Sequence, residues 1–383
     1  MAKNKSTKNA TIESKQDRDE LVSELADVLN KDSKEGKKVY FLDDQEDPST
    51  ISDWISTGSS LLDLAISNRP NGGLPVGRMI EFNGLEGTGK SLISAHIVAN
   101  TQKKGGIAVV IDTENAAAPE FWKSLGVDLK NLPYSPCETV EDIFEQMEKL
   151  ISVVRKSNKD RILTIIVDSV AAASTKTEQE SEHGKDGFAT TKSIIISKAM
   201  RKITNMIGRQ KVLIVFTNQL RQNLNAMAFG DRYTVSGGKA LAYHCSVRVR
   251  LNNTGKLKKG EEVIGNECKA QVVKNRMGPP QRQANFDIYF DSGIADYASW
   301  LKVLKEQNIV KQSGAYYKYT KLNGEEIQFQ SKDLVEMMTK DTSFKDELYQ
   351  KICESVIMKY KDPNSIIVDD AVVDTDEDAA EGE

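Results

Sequence analysis

From Met79 onward the chain alternates short apolar runs with longer segments of mixed polarity. MIEFNG, IAVVIDTE, ILTIIVDS and VLIVFTNQ are the apolar runs, and helical stretches are expected between them from Lys90, from about Thr139 and from about Thr190. Short β-branched runs without polar alternation are strands buried on both faces. Strands of that kind between helices predict an α/β fold with a mostly parallel central sheet. Three further runs, SVRVRLNN, ECKAQVVKNR and ANFDIYF, follow with little helix between them and are expected to extend one edge antiparallel.

The flanks read differently. DELVSELADVLNK spaces Leu21, Leu25 and Leu29 four apart, an apolar stripe on a short helix that needs something to pack on. After Asp291 come a helix around YASWLKVLKEQNIV, a small hairpin in AYYKYTKLNGEEIQF, and helices to about Tyr360. The expected division is a leader and N-terminal helix over 1–39, a core over 40–295, a small C-terminal α/β domain over 296–362 and an acidic tail over 363–383. The leader MAKNKSTKNATIESKQ is basic and polar without the apolar centre of a secretory signal, so disorder is expected there.

Composition narrows the class. No apolar run approaches the length of a membrane span, which excludes a membrane-spanning reading. The four cysteines, Cys137, Cys245, Cys268 and Cys353, are scattered without metal-ligand spacing and fit a reducing cytoplasm. The formal charge of −4 is unevenly spread, because residues 369–383 hold eight acids and no base and the other 368 residues carry +4. An acidic tail behind a basic body solvates the terminus or competes with nucleic acid for the basic surface.

The run GLEGTGKS matches G-x-x-x-x-G-K-[ST], with a strand before it and a helix after it. In such a loop the backbone N–H groups of Gly84, Leu85, Glu86, Gly87, Thr88 and Gly89 close around phosphate oxygens. Lys90 reaches the β and γ oxygens, and Ser91 ligates Mg²⁺. ATP and Mg²⁺ are therefore the expected cofactors. ILTIIVDS ends in Asp168, a carboxylate able to hold the water shell of that metal. Glu114, just beyond IAVVID, can orient an attacking water and accept its proton, and Asp112 is the rival for that role. VLIVFTNQLR ends in Asn218 and Gln219 at the same end of the sheet, where Gln219 could sense the γ-phosphate.

These motifs resemble the RecA recombinases of bacteria and phages. The similarity runs from ISTGSSLLDLAI through GGLPVGR, GLEGTGKS, VVIDTEN, LGVD, IIVDSVAA, SKAMRKI, TNQLR, GGKAL and VVKN to the acidic tail. It implies a RecA-like ATPase core, an N-terminal oligomerisation helix, and a helical filament on single-stranded DNA with ATP between subunits. Pairing with homologous duplex and strand exchange follow, with single-strand-binding and loader proteins as further partners. It also implies roles for Lys90, Ser91, Glu114, Asp168 and Gln219 like those above. Phe121 would stack on adenine, and Ala118 stands where the family has an adenine-contacting Asp. Lys274 and Arg276 would reach the neighbouring subunit's γ-phosphate.

Two segments would be DNA loops, one at about 177–191 and one at about 221–238. Basic groups beside rings suit single-strand binding in the second. The expected DNA contacts are Arg201, Arg221, Phe229, Arg232, Gly237 and Gly238. A hexameric helicase on the same fold, or a nucleotide-gated regulator, is the alternative. VVKN, GGKAL and the small C-terminal domain disfavour the helicase.

Overall fold

A computed structural model describes residues 19–31, 37–42, 47, 50–114, 118–158, 160–170, 172–179, 188–208, 210–222, 233–235 and 239–360. The leader, most of the second candidate DNA loop and the acidic tail lie outside these residues.

In chain order the elements are helix α1 (Glu20–Lys31), β1 (Trp54–Ile55), α2 (Ser60–Ser67), β2 (Leu74–Pro75), β3 (Met79–Gly84), α3 (Lys90–Lys103), β4 (Ile107–Asp112), α4 (Pro119–Ser124), β5 (Tyr134–Pro136), α5 (Val140–Ser157) and β6 (Leu163–Asp168). They continue with α6 (Lys176–Gln179), α7 (Phe188–Ile207), β7 (Val212–Gln222), β8 (Tyr233–Val235), α8 (Lys239–His244), β9 (Val247–Lys259), β10 (Glu262–Asn275), β11 (Gln283–Tyr289) and β12 (Gly293–Ile294). The last part holds α9 (Asp296–Glu306), β13 (Lys311–Ser313), β14 (Tyr316–Thr320), β15 (Glu326–Gln330), α10 (Ser331–Lys340) and α11 (Thr342–Val356).

The main sheet runs β12-β11-β10-β9-β3-β7-β6-β4-β5, with β8 folded antiparallel onto β7. Pairing is parallel from β9 through β3, β7, β6 and β4 to β5. This corrects the expected antiparallel extension. β9 joins the edge parallel to β3, with Ile80 opposite Val247, and the antiparallel part begins only at β10. The reason is topological, because β7 and β9 both pair parallel with β3, so the chain crosses back between them, and β8 and α8 lie in that crossover.

Alternate residues of the inner strands feed two cores, which is why those strands read as continuous apolar runs. In β6, Ile166 faces the cluster that holds Ile93, Ile97, Leu62 and Phe286, whereas Leu163, Ile165 and Val167 face the one that holds Phe144, Ile196 and Met200. The first cluster continues through Trp300, Leu304, Phe329, Phe344 and Leu348, so the C-terminal helices share the core beneath α2. Asp296 fastens that seam by accepting from the Ser60 N–H at 2.7 Å, and Trp300 Nε1 donates to Ser60 Oγ at 2.7 Å. Helix α1 is amphipathic and uncovered, with Leu21, Leu25 and Leu29 all more than half exposed. No helix among the described residues is long and apolar enough to cross a membrane.

Candidate active site

The parallel strands β3, β4, β6 and β7 deliver their C-terminal ends to one edge of the sheet, where ligand sites form in such folds. The loop after β3 turns there. Gly89 has φ 90°, and a Cβ on it would stand 2.6 Å from Ile288 Cδ1, so conformation and space both demand glycine. A Cβ on Gly84 would lie 2.6 Å from the Leu251 carbonyl and from Thr88 Oγ1. Helix α3 starts with no side-chain cap, which leaves its first N–H groups facing the loop. Asn253 of β9 steadies the exposed side of the loop by donating to the Gly87 carbonyl at 3.1 Å.

Lys90 is folded inward. Its ammonium donates to the carbonyls of Gly84 at 3.1 Å and Leu85 at 2.7 Å. Burial holds it below the usual lysine range, against the pull of Asp168, Glu114 and Glu86. Ser91 Oγ donates to Asp168 Oδ2 at 2.7 Å, and Thr217 Oγ1 donates to the other carboxylate oxygen. A hydroxyl beside a carboxylate is a hard oxygen pair of the kind Mg²⁺ takes while keeping several waters.

Glu114 lies one strand further on. Ser169 Oγ donates to its Oε1 at 2.7 Å, and Gln219 Nε2 approaches the same oxygen at 3.4 Å. Thr113 ties the two strand ends together, donating to the Ser169 carbonyl at 2.6 Å and accepting from the Ser169 N–H at 3.1 Å. Asp112, the rival base, is only 4% exposed. It accepts from the Glu114 N–H and from the Tyr134 hydroxyl, each at 2.8 Å, and so supports the turn that carries Glu114. Thr217, Ser169, Thr113 and Tyr134 were not singled out for a role in the sequence. They are isolated hydroxyls whose use depends on cross-strand register, and only the Asp-Ser and Thr-Asn-Gln strand endings hinted at two of them.

Not every candidate joins this cluster. Phe121 is half-buried on α4 against the core beside Trp122. Arg276 lies at the other end of the sheet, because Arg276 N–H donates to the Ser246 carbonyl and Ser246 N–H donates to that of Met79, and Lys274 stands level with Arg248 and Glu81 with its side chain turned to the end of α8. From Met79 to Gly84 an extended strand covers about 17 Å. Both cations are therefore remote from the phosphate loop of their own chain. Lys274 Nζ donates to the carbonyls of Ala242 at 2.7 Å and Tyr243 at 2.9 Å, in the last turn of α8. Burial, with Arg276 next to it, holds Lys274 below the usual range. Lys274 and Arg276, two apart in the sequence, would share a face if both lay on one strand, but Arg276 lies past the end of β10 and is exposed.

Arg201 is exposed on α7, and its Nε donates to the Ser197 carbonyl at 3.3 Å. His244, next to Thr204, is held below the usual range by burial and by Arg201, Lys274 and Arg276, so these cations share one corner. Arg221 is exposed at the end of β7. Phe229, Arg232, Gly237 and Gly238 lie outside the described residues, as do 180–187 of the first loop.

A family model described as the RecA N-terminal domain matches residues 24–295. Proteins named Protein RecA are similar along most of the chain. That of Clostridium acetobutylicum is 40% identical over 267 residues, 70% of this chain and 73% of the relative. That of Allochromatium vinosum is 41% identical over 265 residues, 69% of this chain and 73% of the relative. That of Nostoc sp. is 35% identical over 324 residues, 85% of each chain, so this likeness extends beyond residue 295.

Proposed function

The chain belongs to the RecA family, and from that premise we propose that it assembles on single-stranded DNA, hydrolyses ATP when bound there, and pairs that strand with homologous duplex in the cytoplasm. It is a RecA-type recombination and repair protein, and the helicase reading is not favoured. The observation that carries the proposed activity is the meeting of the phosphate loop, Ser91, Asp168, Glu114 and Gln219 at one sheet edge.

The chemistry follows from that edge. Loop N–H groups and Lys90 hold the phosphates of ATP and stabilise the charge that develops on them. Ser91 and Asp168 would hold Mg²⁺, which when bound neutralises the β- and γ-phosphate oxygens. Glu114 accepts a proton from water as the water oxygen bonds to the γ-phosphorus, and the bond from that phosphorus to the bridging oxygen breaks to release ADP. Gln219, within reach of Glu114 and on the strand leading into the second DNA loop, links the presence of the γ-phosphate to that loop.

Lys274 and Arg276 suit the γ-phosphate of a neighbouring subunit, because they lie far from their own. The exposed stripe of α1 suits attachment to that neighbour. ATP hydrolysis measured with and without single-stranded DNA, followed by strand exchange between a circular single strand and a linear duplex, tests the reading. Stimulated hydrolysis with joint molecules is the expected result. Hydrolysis indifferent to DNA, or stimulation without joint molecules, would overturn it.

A further inference from the structure

Glu81 is a carboxylate in the middle of β3, 0% exposed, in a strand otherwise buried in apolar surroundings. Its partners come from both neighbouring strands. Asn218 Nδ2 of β7 donates to Glu81 Oε1 at 3.0 Å, and Arg248 Nε of β9 pairs with Oε2. Arg248 in turn stands opposite Lys274 in the β9–β10 register. Directly opposed residues on paired strands share a face. A line of polar side chains therefore runs along one face of the sheet, from Asn218 next to Gln219, through Glu81 and Arg248, to Lys274 and the end of α8.

The ends of that line give it meaning. Asn218 is adjacent to Gln219, whose Nε2 approaches Glu114 at 3.4 Å in the subunit's own site, and β7 enters the second DNA loop. Helix α8 leaves that loop, and its last carbonyls hold Lys274. A buried ion pair is a poor way to stabilise a sheet, since apolar residues of similar volume do as well or better. What it supplies is a fixed geometry between groups that must move together.

We propose that the Asn218–Glu81–Arg248 network is a positioning relay that couples the γ-phosphate and DNA state of one subunit to the reach of Lys274 toward the next subunit. None of the three touches nucleotide. Glu81 and Arg248 act by holding β7, β9 and the Lys274 corner in one register. Without them each site still binds ATP, but sites in a filament no longer respond together.

This inference rests on the proposed DNA-stimulated, cross-subunit hydrolysis, and the experiment separates the two. Full-length wild type and the double variant Glu81→Leu/Arg248→Met are compared for affinity toward a fluorescent ATP analogue without DNA. Hydrolysis is then followed against ATP concentration with and without poly(dT). The double variant is expected to bind the analogue within about 2-fold of wild type and to keep its unstimulated turnover. Its stimulation by poly(dT) should fall about 10-fold or more, within the range of allosteric couplings, and its Hill coefficient for ATP should approach about 1.

Two conservative changes keep the test decisive if the double variant is unstable. Glu81→Gln retains the volume and the acceptor for Asn218, and Arg248→Lys retains the charge. Each should lose part of the stimulation while keeping analogue affinity, and Arg248→Lys should lose less than the double variant. Wild-type stimulation and cooperativity in the double variant, or in both conservative variants, would overturn the relay. A parallel fall of analogue affinity and stimulation would also overturn it, since that is the mark of a merely structural pair. An unstimulated wild type would instead remove the parent reading, and the relay with it.

Discussion

Glu114→Gln isolates the proton-accepting step. Both hydrogen bonds seen on the Glu114 carboxylate fall on Oε1, from Ser169 Oγ at 2.7 Å and Gln219 Nε2 at 3.4 Å. A glutamine carbonyl accepts the same two bonds, so the change removes the basic oxygen and little else. General-base catalysis contributes about 10²–10⁴-fold, roughly 3–5 kcal/mol of barrier. Single-turnover hydrolysis on poly(dT) should fall by that factor, while affinity for a fluorescent ATP analogue stays within about 2-fold. Asp112→Asn provides the contrast. The Asp112 carboxylate is occupied by the Glu114 N–H and by Tyr134, whose hydroxyl is pushed up to about 12 by burial and by Asp112 itself and stays a donor at working pH. Its loss should displace Glu114 and cost about 10-fold, the scale of one charge-assisted hydrogen bond. Glu114→Gln turning over within about 3-fold of wild type, or Asp112→Asn losing more than it, would refute the assignment of the base.

Mixing Lys274→Ala/Arg276→Ala subunits with Glu114→Gln subunits, each inactive alone, should restore part of the hydrolysis at interfaces where intact groups meet. Mixed filaments visible by microscopy but inert at every ratio would exclude action across the interface. Asp63 predicts a pH dependence of stability. Its carboxyl is pushed up to about 7 by burial, with Asp296 adding, against the donors Thr57 N–H and Oγ1 at 2.8 Å. A folded value above the unfolded one means stability fully present below about pH 4 and lost as pH rises through about 7. Asp63→Asn, neutral throughout, should therefore gain on wild type by about 3 kcal/mol between about pH 5 and 8.5 in denaturant unfolding, and a flat difference would contradict the burial argument. Deleting residues 369–383, with their eight acids, should tighten duplex binding at moderate salt. Unchanged or weaker duplex affinity in a titration would show that the tail does not compete with DNA.

Much of the architecture was legible because burial on both faces leaves a sequence mark. LTIIVD sends alternate residues into two cores and shows no polar gap, and GLEGTGKS combines two fixed glycines with a strand and a helix at its borders. What stayed hidden depends on partners far along the chain. SVRVRL alternates as an edge strand does, and nothing local says that Val247 pairs parallel with Ile80. The three residues of β5 are too few for a period. Thr217 matters because it reaches Asp168 from the next strand, a fact of register and not of spacing. Glu81 left a readable sign, an acid inside a run buried on both faces, which physical chemistry permits only where a partner is waiting.

The separation of the two charged ends of the sheet has a consequence for assembly. The phosphate loop follows the C-terminal end of β3, whereas Arg276 stands beside its N-terminal end, about 17 Å away, and Lys274 reaches the end of α8 on the same side of the site. If those cations serve a γ-phosphate, one subunit's cation end must meet another's phosphate end. Such a contact is heterologous, joining two different surfaces. A two-fold dimer cannot satisfy it, because in an isologous pair each surface meets its own copy. Head-to-tail addition satisfies it at every step and yields a ring when the rotation closes and a helix when it does not. The apolar stripe of α1 is exposed, and among the described residues Asn30 of α1 accepts from the Lys38 and Val39 N–H groups at 2.8 and 2.9 Å. If that stripe attaches to a neighbouring subunit, the attachment lies on a surface separate from the cation and phosphate ends. Strength of attachment and sensitivity to nucleotide would then be divided between two surfaces. A filament that must remain on DNA while its sites turn over needs that division.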